Sequence, residues 1–172
     1  MTNVVKGIDA FVANINRGLE EAEIDLSMLK EMDHICYRVE TEQRYEELRR
    51  ELLRATRLVA PVGVPSMING RPIATFQFRE PVISGGWDIS YLELPAPKEG
   101  SPYTEGLEHA EFVVRGGDLV AFREQHPHLA HFFRDGGMNK SLNPELGLRE
   151  FGMSVKFHEL ALGKVVRIEQ EL

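Results

Sequence analysis

The strongest constraint on this chain is an order of elements that occurs twice. From residue 33 it reads strand, helix and three strands, and from residue 107 the same series begins again. DHICYRVE (33–40) has strand composition. Thr41 then caps TEQRYEELRRELLRATR, which sets Tyr45, Leu48, Leu52 and Leu53 along one side of a charged helix. LVAPVGVPSMI is extended, and its two prolines suit a sheet edge. Asn69-Gly70 marks a two-residue hairpin turn, PIATFQFREP the return strand and Gly85-Gly86 a further turn before strand 87–94. PAPKEGSPYTEG, rich in Pro, Gly and charge, is a connector. Strand 107–114 follows, then a helix DLVAFREQH capped by Asp118. Residues 126–134 are irregular or helical, and 138–141, 145–151 and 152–160 supply three strands. The tail GKVVRIEQEL fits a strand or a helix. At the start, residues 4–17 and 19–31 carry apolar side chains at helical spacing, with Gly18 as the turn or C-cap between two helices.

The expected fold is therefore α+β: two paired β-α-β-β-β modules forming a curved mixed sheet around a cavity, with an N-terminal helical extension. The divisions fall at 1–32 (extension), 33–97 (first module), 98–106 (connector) and 107–172 (second module). A chain of 172 residues can bury a core of this kind. Its net charge of −7 and lack of a long Lys/Arg block argue against nucleic-acid or anionic-membrane partners. The lone Cys36 permits no internal disulfide and suits a reducing compartment. MTNVVKGIDAFVANI lacks the pattern of a signal peptide, and no apolar run is long enough for a membrane span. A cytoplasmic protein is expected, as monomer or homodimer, with a small-molecule ligand.

Four polar residues occupy mirrored strand positions. His34 and His109 open strands, while Glu93 and His158 close them. Imidazoles with a carboxylate make a first shell for a divalent metal. Alternation along strands puts Cys36 and Arg38 on the face of His34, Glu111 on that of His109, and Lys156 on that of His158. Trp87, Ile89, Tyr91 and Glu93 also share a face by parity. Glu111 pairs with Arg38 or Lys156, or acts with His158 as an acid–base group. Arg38 and Lys156 bind an anionic substrate group or form ion pairs. Arg71, beside the hairpin turn, contacts substrate or is solvated. Tyr91 and Trp87 form an aromatic wall or belong to the core. The HPHLAH cluster (His126, His128, His131) reads as surface, and Cys36 is not expected to be a nucleophile.

The words DHICYR, MINGRPI, REPV, YLELPAP, EGLEHAEFVV, NPELGL and VKFHE run in order from residue 33 to 159. They resemble the YecM-like family of the vicinal oxygen chelate superfamily, which includes glyoxalase I, bleomycin-resistance proteins and extradiol dioxygenases. The resemblance implies a paired-module fold and one divalent metal, with Zn, Fe, Mn, Ni and Co not distinguished. By position, His34 and Glu93 would be ligands from the first module, and His109 and His158 from the second. Glyoxalases usually carry a carboxylate in the last position, where this chain has His158. The implied function is a metal-dependent isomerase, lyase or dioxygenase acting on a molecule that chelates the metal through neighbouring oxygens. The alternative is a non-catalytic protein that binds and sequesters a small molecule, as bleomycin-resistance proteins do.

Overall fold

Strand pairing joins the two halves of the chain edge to edge. The computed structural model describes residues 3–55, 59–68, 70–100 and 102–171. Helices α1 (Asn3–Lys6) and α2 (Ile8–Glu21) lead into β1 (Leu29–Arg38). Then follow α3 (Glu42–Arg54), β2 (Val59–Pro61), β3 (Ser66–Ile68), β4 (Arg71–Ser84) and β5 (Trp87–Pro95). The second half contains β6 (Gly106–Val114), α4 (Leu119–Glu124), β7 (Phe133–Arg134), β8 (Glu145–Leu148), β9 (Val155–His158) and α5 (Leu162–Glu171). Among the described residues nine strands form one mixed sheet, ordered β2-β4-β5-β1-β6-β9-β8-β7, with β3 also paired to β4. In each half the first strand runs parallel to the last: β1 with β5, and β6 with β9. The halves meet where β1 and β6 pair antiparallel.

Local chemistry fixes the helix starts as expected. The Thr41 hydroxyl accepts the Arg44 amide at 3.1 Å, and the Asp118 carboxylate accepts the Ala121 amide at 2.8 Å. The Ser66–Ile68/Arg71 hairpin closes at Gly70, whose φ of +76° glycine adopts without strain. Asn69, named with it as the turn, lies outside the described residues.

One face of the sheet carries the apolar core. Ile35, Phe76, Leu92, Ala110, Phe112 and Phe157 are buried there with Val12, Ile15 and Leu19 of α2. Phe157 lies 4.6 Å from Phe122 of α4 between ring centroids. These contacts leave the opposite face free for polar side chains.

Several local expectations are corrected. Gly18 does not end a helix: it sits inside α2, where a Cβ would come 2.7 Å from Met153 Cγ, so its small size serves close packing. There is no second helix over 19–31, because β1 begins at Leu29 after a short 3-10 turn at Leu26–Met28. The segment ahead of the Asn-Gly turn contributes two short strands, β2 and β3, in place of one edge strand. Residues 138–141 form no strand, and β7 pairs earlier, at Phe133–Arg134. The tail is the helix α5.

Parity also breaks within β5. The β4–β5 register shifts between the pairs Gln77/Tyr91 and Val82/Ile89. Trp87 accordingly packs edge-on against Phe112 and donates its indole N–H to Asn16 of α2, among the core residues. Trp87 and Ile89 thus do not share the face of Tyr91 and Glu93, and no Trp87–Tyr91 wall forms.

Candidate metal centre

Cross-strand register sets Arg134, Gly147, Lys156, Glu111, His34, Tyr91 and Gln77 in one row from β7 to β4. Directly paired residues project from the same side of a sheet. A neighbouring row holds His109, Cys36, Glu93 and Thr75. Where the rows cross the β1–β6 seam, His34, Glu93, His109 and Glu111 converge, and His158 of β9 reaches the same point.

Glu111 lies at the centre. His109 Nε2 is 3.0 Å from its Oε1, Lys156 Nζ is 2.9 Å from the same oxygen, and His34 Nε2 is 3.3 Å from Oε2. His158 Nε2 also bonds Oε2. Glu93 approaches His34 Nε2 at 3.7 Å. Burial alone would raise the Glu111 pKa, but His34, His158 and Lys156 hold it well below the usual carboxylate value. Conversely, burial opposes charge on His34, yet Glu111 and Glu93 raise its pKa well above the usual imidazole value. His109 is raised in the same sense: burial opposes it, and Cys36, Glu108 and Glu111 outweigh that cost.

His34 and His109 do not open their strands: β1 begins at Leu29 and β6 at Gly106, so both lie inside. The far side of each imidazole is held by the acid that precedes it. His34 Nδ1 is 2.9 Å from Asp33, and His109 Nδ1 is 2.7 Å from Glu108. A ring that donates its Nδ1–H to a carboxylate presents the Nε2 lone pair to a metal. His34 Nε2 is buried and has no hydrogen-bond partner among the described residues. Donor chemistry and geometry therefore suit a divalent ion. Two groups have donor atoms within 4.8 Å of one another: His34, Glu93 and Glu111, and Cys36, Glu108 and His109.

A family model described as YecM protein matches residues 1–169. The chain belongs to the YecM family. It is 30% identical over 150 residues to protein YecM of Escherichia coli (strain K12), covering 80% of this chain and 78% of that one. It is 31% identical over 121 residues to an uncharacterized protein of Haemophilus influenzae, covering 66% of this chain and 61% of that one. A structural-genomics structure, Protein EC4020, superposes with a TM-score of 0.74 at 26% identity, over 98% of this chain and 92% of that one.

In this YecM-family chain the remaining sequence candidates are placed as follows. Lys156 belongs to the Glu111 cluster. Arg38 stands beside it, its Nε bonded to Glu108 at 2.7 Å and its guanidinium 4.8 Å from the Tyr103 ring centre. Arg38 therefore pairs with Glu108, not Glu111. Tyr91 flanks His34 in the row and lies against α5, where a Cβ on Gly163 would fall 2.1 Å from its Oη. Arg71 is brought elsewhere: it donates to the Ala96 carbonyl at 3.0 Å and lines a separate cavity with Pro72, Pro97 and Lys98. His126 is buried, not a surface residue, with Nδ1 bonded to the Phe122 carbonyl at 2.7 Å. Asp33 and Glu108 escaped the sequence reading, although an acid before each histidine was visible in DH and EH. Asp33 also accepts the Leu162 amide at 2.7 Å, tying the start of α5 to His34.

Two cavities approach the centre. One of about 660 Å³ is lined by Asp33, Tyr91, Glu159 and Gly163. The other, about 320 Å³, is lined by His109, Glu108, Arg38 and Lys156.

Proposed function

We propose that this protein is a metal-dependent enzyme of the vicinal oxygen chelate kind, acting on a small molecule through two neighbouring oxygens. The observation that carries this reading is His34: Nδ1 is fixed by Asp33, and Nε2 is buried, without a hydrogen-bond partner among the described residues, and faced by Glu111 at 3.3 Å and Glu93 at 3.7 Å. His34, Glu93 and Glu111 would hold the ion, with His109 and His158 orienting Glu111 through their Nε2 atoms. When bound, a divalent metal supplies Lewis acidity to the substrate oxygens.

The chain's own residues supply orientation and proton handling. Asp33 fixes the His34 ring. Lys156 and His109 fix the Glu111 carboxylate through Oε1. His158 is anchored through Nδ1 to the Pro144 carbonyl at 3.1 Å, which sets its Nε2 against Glu111 Oε2. That pair is positioned to give or take a proton at the substrate.

One observation favours sequestration without turnover. Glu111 is already compensated by Lys156 and His158, and His34, His109 and Glu111 are at most 4% exposed. A binding protein would use the cavities beside the cluster and hold ligand without needing a metal.

The test is metal content by plasma mass spectrometry on tag-free protein purified without chelator, with His34→Ala, Glu93→Gln and Glu111→Gln beside wild type. About one equivalent in wild type, lost in all three folded variants, supports the metal reading. No metal in wild type, and none taken up from Zn, Mn, Ni, Co or anaerobic Fe(II), overturns it in favour of sequestration.

A further inference from the structure

The cavity of about 320 Å³ beside the centre has a charge opposite to that of the whole chain. Its wall includes Arg38, Arg134, Arg149 and Lys156 against Glu108 and Glu145. Four cations facing two carboxylates leave an excess of two positive charges, in a chain of net charge −7. Lys156 is spent on Glu111 and Glu145 is met by Lys140, so the uncompensated charge rests on Arg134 and Arg149. Among the described residues, neither Arg134 nor Arg149 has an ion-pair partner, although Arg38, Lys140 and Lys156 nearby all do. Arg38 uses only Nε on Glu108, and its Nη1 is buried with no partner among the described residues.

Gly147 makes room for a ligand at this spot. It stands between Arg134 and Lys156 in the cross-strand row and projects no side chain. Arg149, two residues along from Gly147, lines the same cavity. Guanidinium forks match the paired oxygens of carboxylates and phosphates, and a cavity of this size sits at the small end of ligand sites. Lys156 lines the cavity and also holds Glu111, so an anion seated over Gly147 lies next to the proposed centre.

We infer that this cavity binds an oxyanion group, and that the molecule acted on at the centre is a small acid, a carboxylate or a phosphate ester. The identification of this acid as substrate rests on the metal-enzyme reading; the anion site itself does not.

The experiment is calorimetric titration of chelator-treated, dialysed full-length protein with malonate, inorganic phosphate and uncharged malonamide. Wild type is expected to bind at least one anion and not malonamide. Preference for malonate or for phosphate then assigns the group as carboxylate or phosphate. Arg134→Gln and Arg149→Gln, both at exposed positions, should each weaken binding roughly tenfold or more. Gly147→Asp puts a carboxylate into the gap and should abolish binding; its backbone has no positive φ to resist the change. Absence of anion binding, equal binding of malonamide, or wild-type affinity in all three variants overturns the inference. Metal uptake measured on the same samples separates the two readings. Anion binding without metal uptake leaves this site standing and removes the metal enzyme, whereas metal uptake without anion binding does the reverse.

Discussion

Glu111→Gln should damage the folded state far more than Glu93→Gln, although both should remove the metal. Glu111 accepts from His109 at 3.0 Å and Lys156 at 2.9 Å, and also meets His34 and His158. Glutamine keeps one acceptor oxygen but loses the charge, leaving the Lys156 ammonium and the imidazoles without their counter-charge. Removing one partner of a buried ion cluster costs about 3–5 kcal/mol. Glu93 has only His34, at 3.7 Å, and its side chain is 16% exposed, so its neutralisation should cost under about 1 kcal/mol. For a domain of this size 1 kcal/mol moves Tm by roughly 2–4 °C, so Glu111→Gln should melt about 10 °C lower. The assay is thermal and urea unfolding of chelator-treated protein at neutral pH, where no metal contributes to stability. Equal, small losses in the two variants would refute the reasoning, because Glu111 would then not be the counter-charge of the cluster.

Metal affinity should rise with pH from about 6.5 upward, since burial opposes charge on His34 but Glu111 and Glu93 raise its pKa well above the usual imidazole value and an ion must displace that proton; calorimetry in buffers of different ionisation enthalpy should detect proton release, and a flat profile would count against His34 as a ligand. Burial would raise the Glu108 pKa, but His109 and Arg38 depress it to about 2, so its stabilisation, of order 3 kcal/mol, is present above about pH 4.5 and is lost as pH falls toward 2. Acid unfolding of Glu108→Gln should lack that part of the slope, and a curve parallel to wild type would contradict the assignment. Gly163→Ala should cost about 1–3 kcal/mol, because its Cβ would fall 2.1 Å from Tyr91 Oη and push α5 off the sheet; an unchanged Tm would show that α5 yields freely.

Much of the architecture was legible because it is written locally. The caps at Thr41 and Asp118, the Gly85-Gly86 turn and the strand composition of 33–40 and 107–114 each depend on a few adjacent residues. The doubled order of elements follows from them. Errors arose where distant contacts decide: Gly18 continues a helix because Met153 packs on it, and β5 changes phase at a register shift with β4. In the candidate site, the sequence pointed to His34, Glu93, His109 and His158; each approaches Glu111 or His34, but His34 and Glu93 share a donor group with Glu111, whereas His109 falls in a second group and His158 in neither. The centrality of Glu111 was not legible, because it depends on the register of β1 against β6, set across 77 residues of sequence. Equally hidden was the partnership of Arg38 with Glu108.

The seam between the halves suggests which donor group a metal would choose. Pairing of Ile35 with Ala110, flanked by His34/Glu111 and Cys36/His109, relates the two strands by a local two-fold. It matches Asp33-His34 to Glu108-His109, and Cys36 to Glu111. Through the parallel neighbours it also matches Glu93 to Lys156. The symmetry thus produces two acid–histidine pairs in unlike surroundings. Grouped with His34 are two carboxylates, Glu93 and Glu111, of which Glu111 is already held by Lys156, His109 and His158. Grouped with His109 are Cys36 and Glu108, and Glu108 is already bound to Arg38 at 2.7 Å. An ion there must break that ion pair, whereas His34 Nε2 has no hydrogen-bond partner among the described residues and Glu93 meets only His34, at 3.7 Å. Cobalt(II) substitution separates the two, because a cysteine thiolate ligand gives an intense sulfur-to-cobalt charge-transfer band and oxygen and imidazole ligands do not. The expected spectrum lacks that band and is unchanged by Cys36→Ser but lost in His34→Ala. A charge-transfer band abolished by Cys36→Ser would move the centre to His109 and refute the assignment to His34.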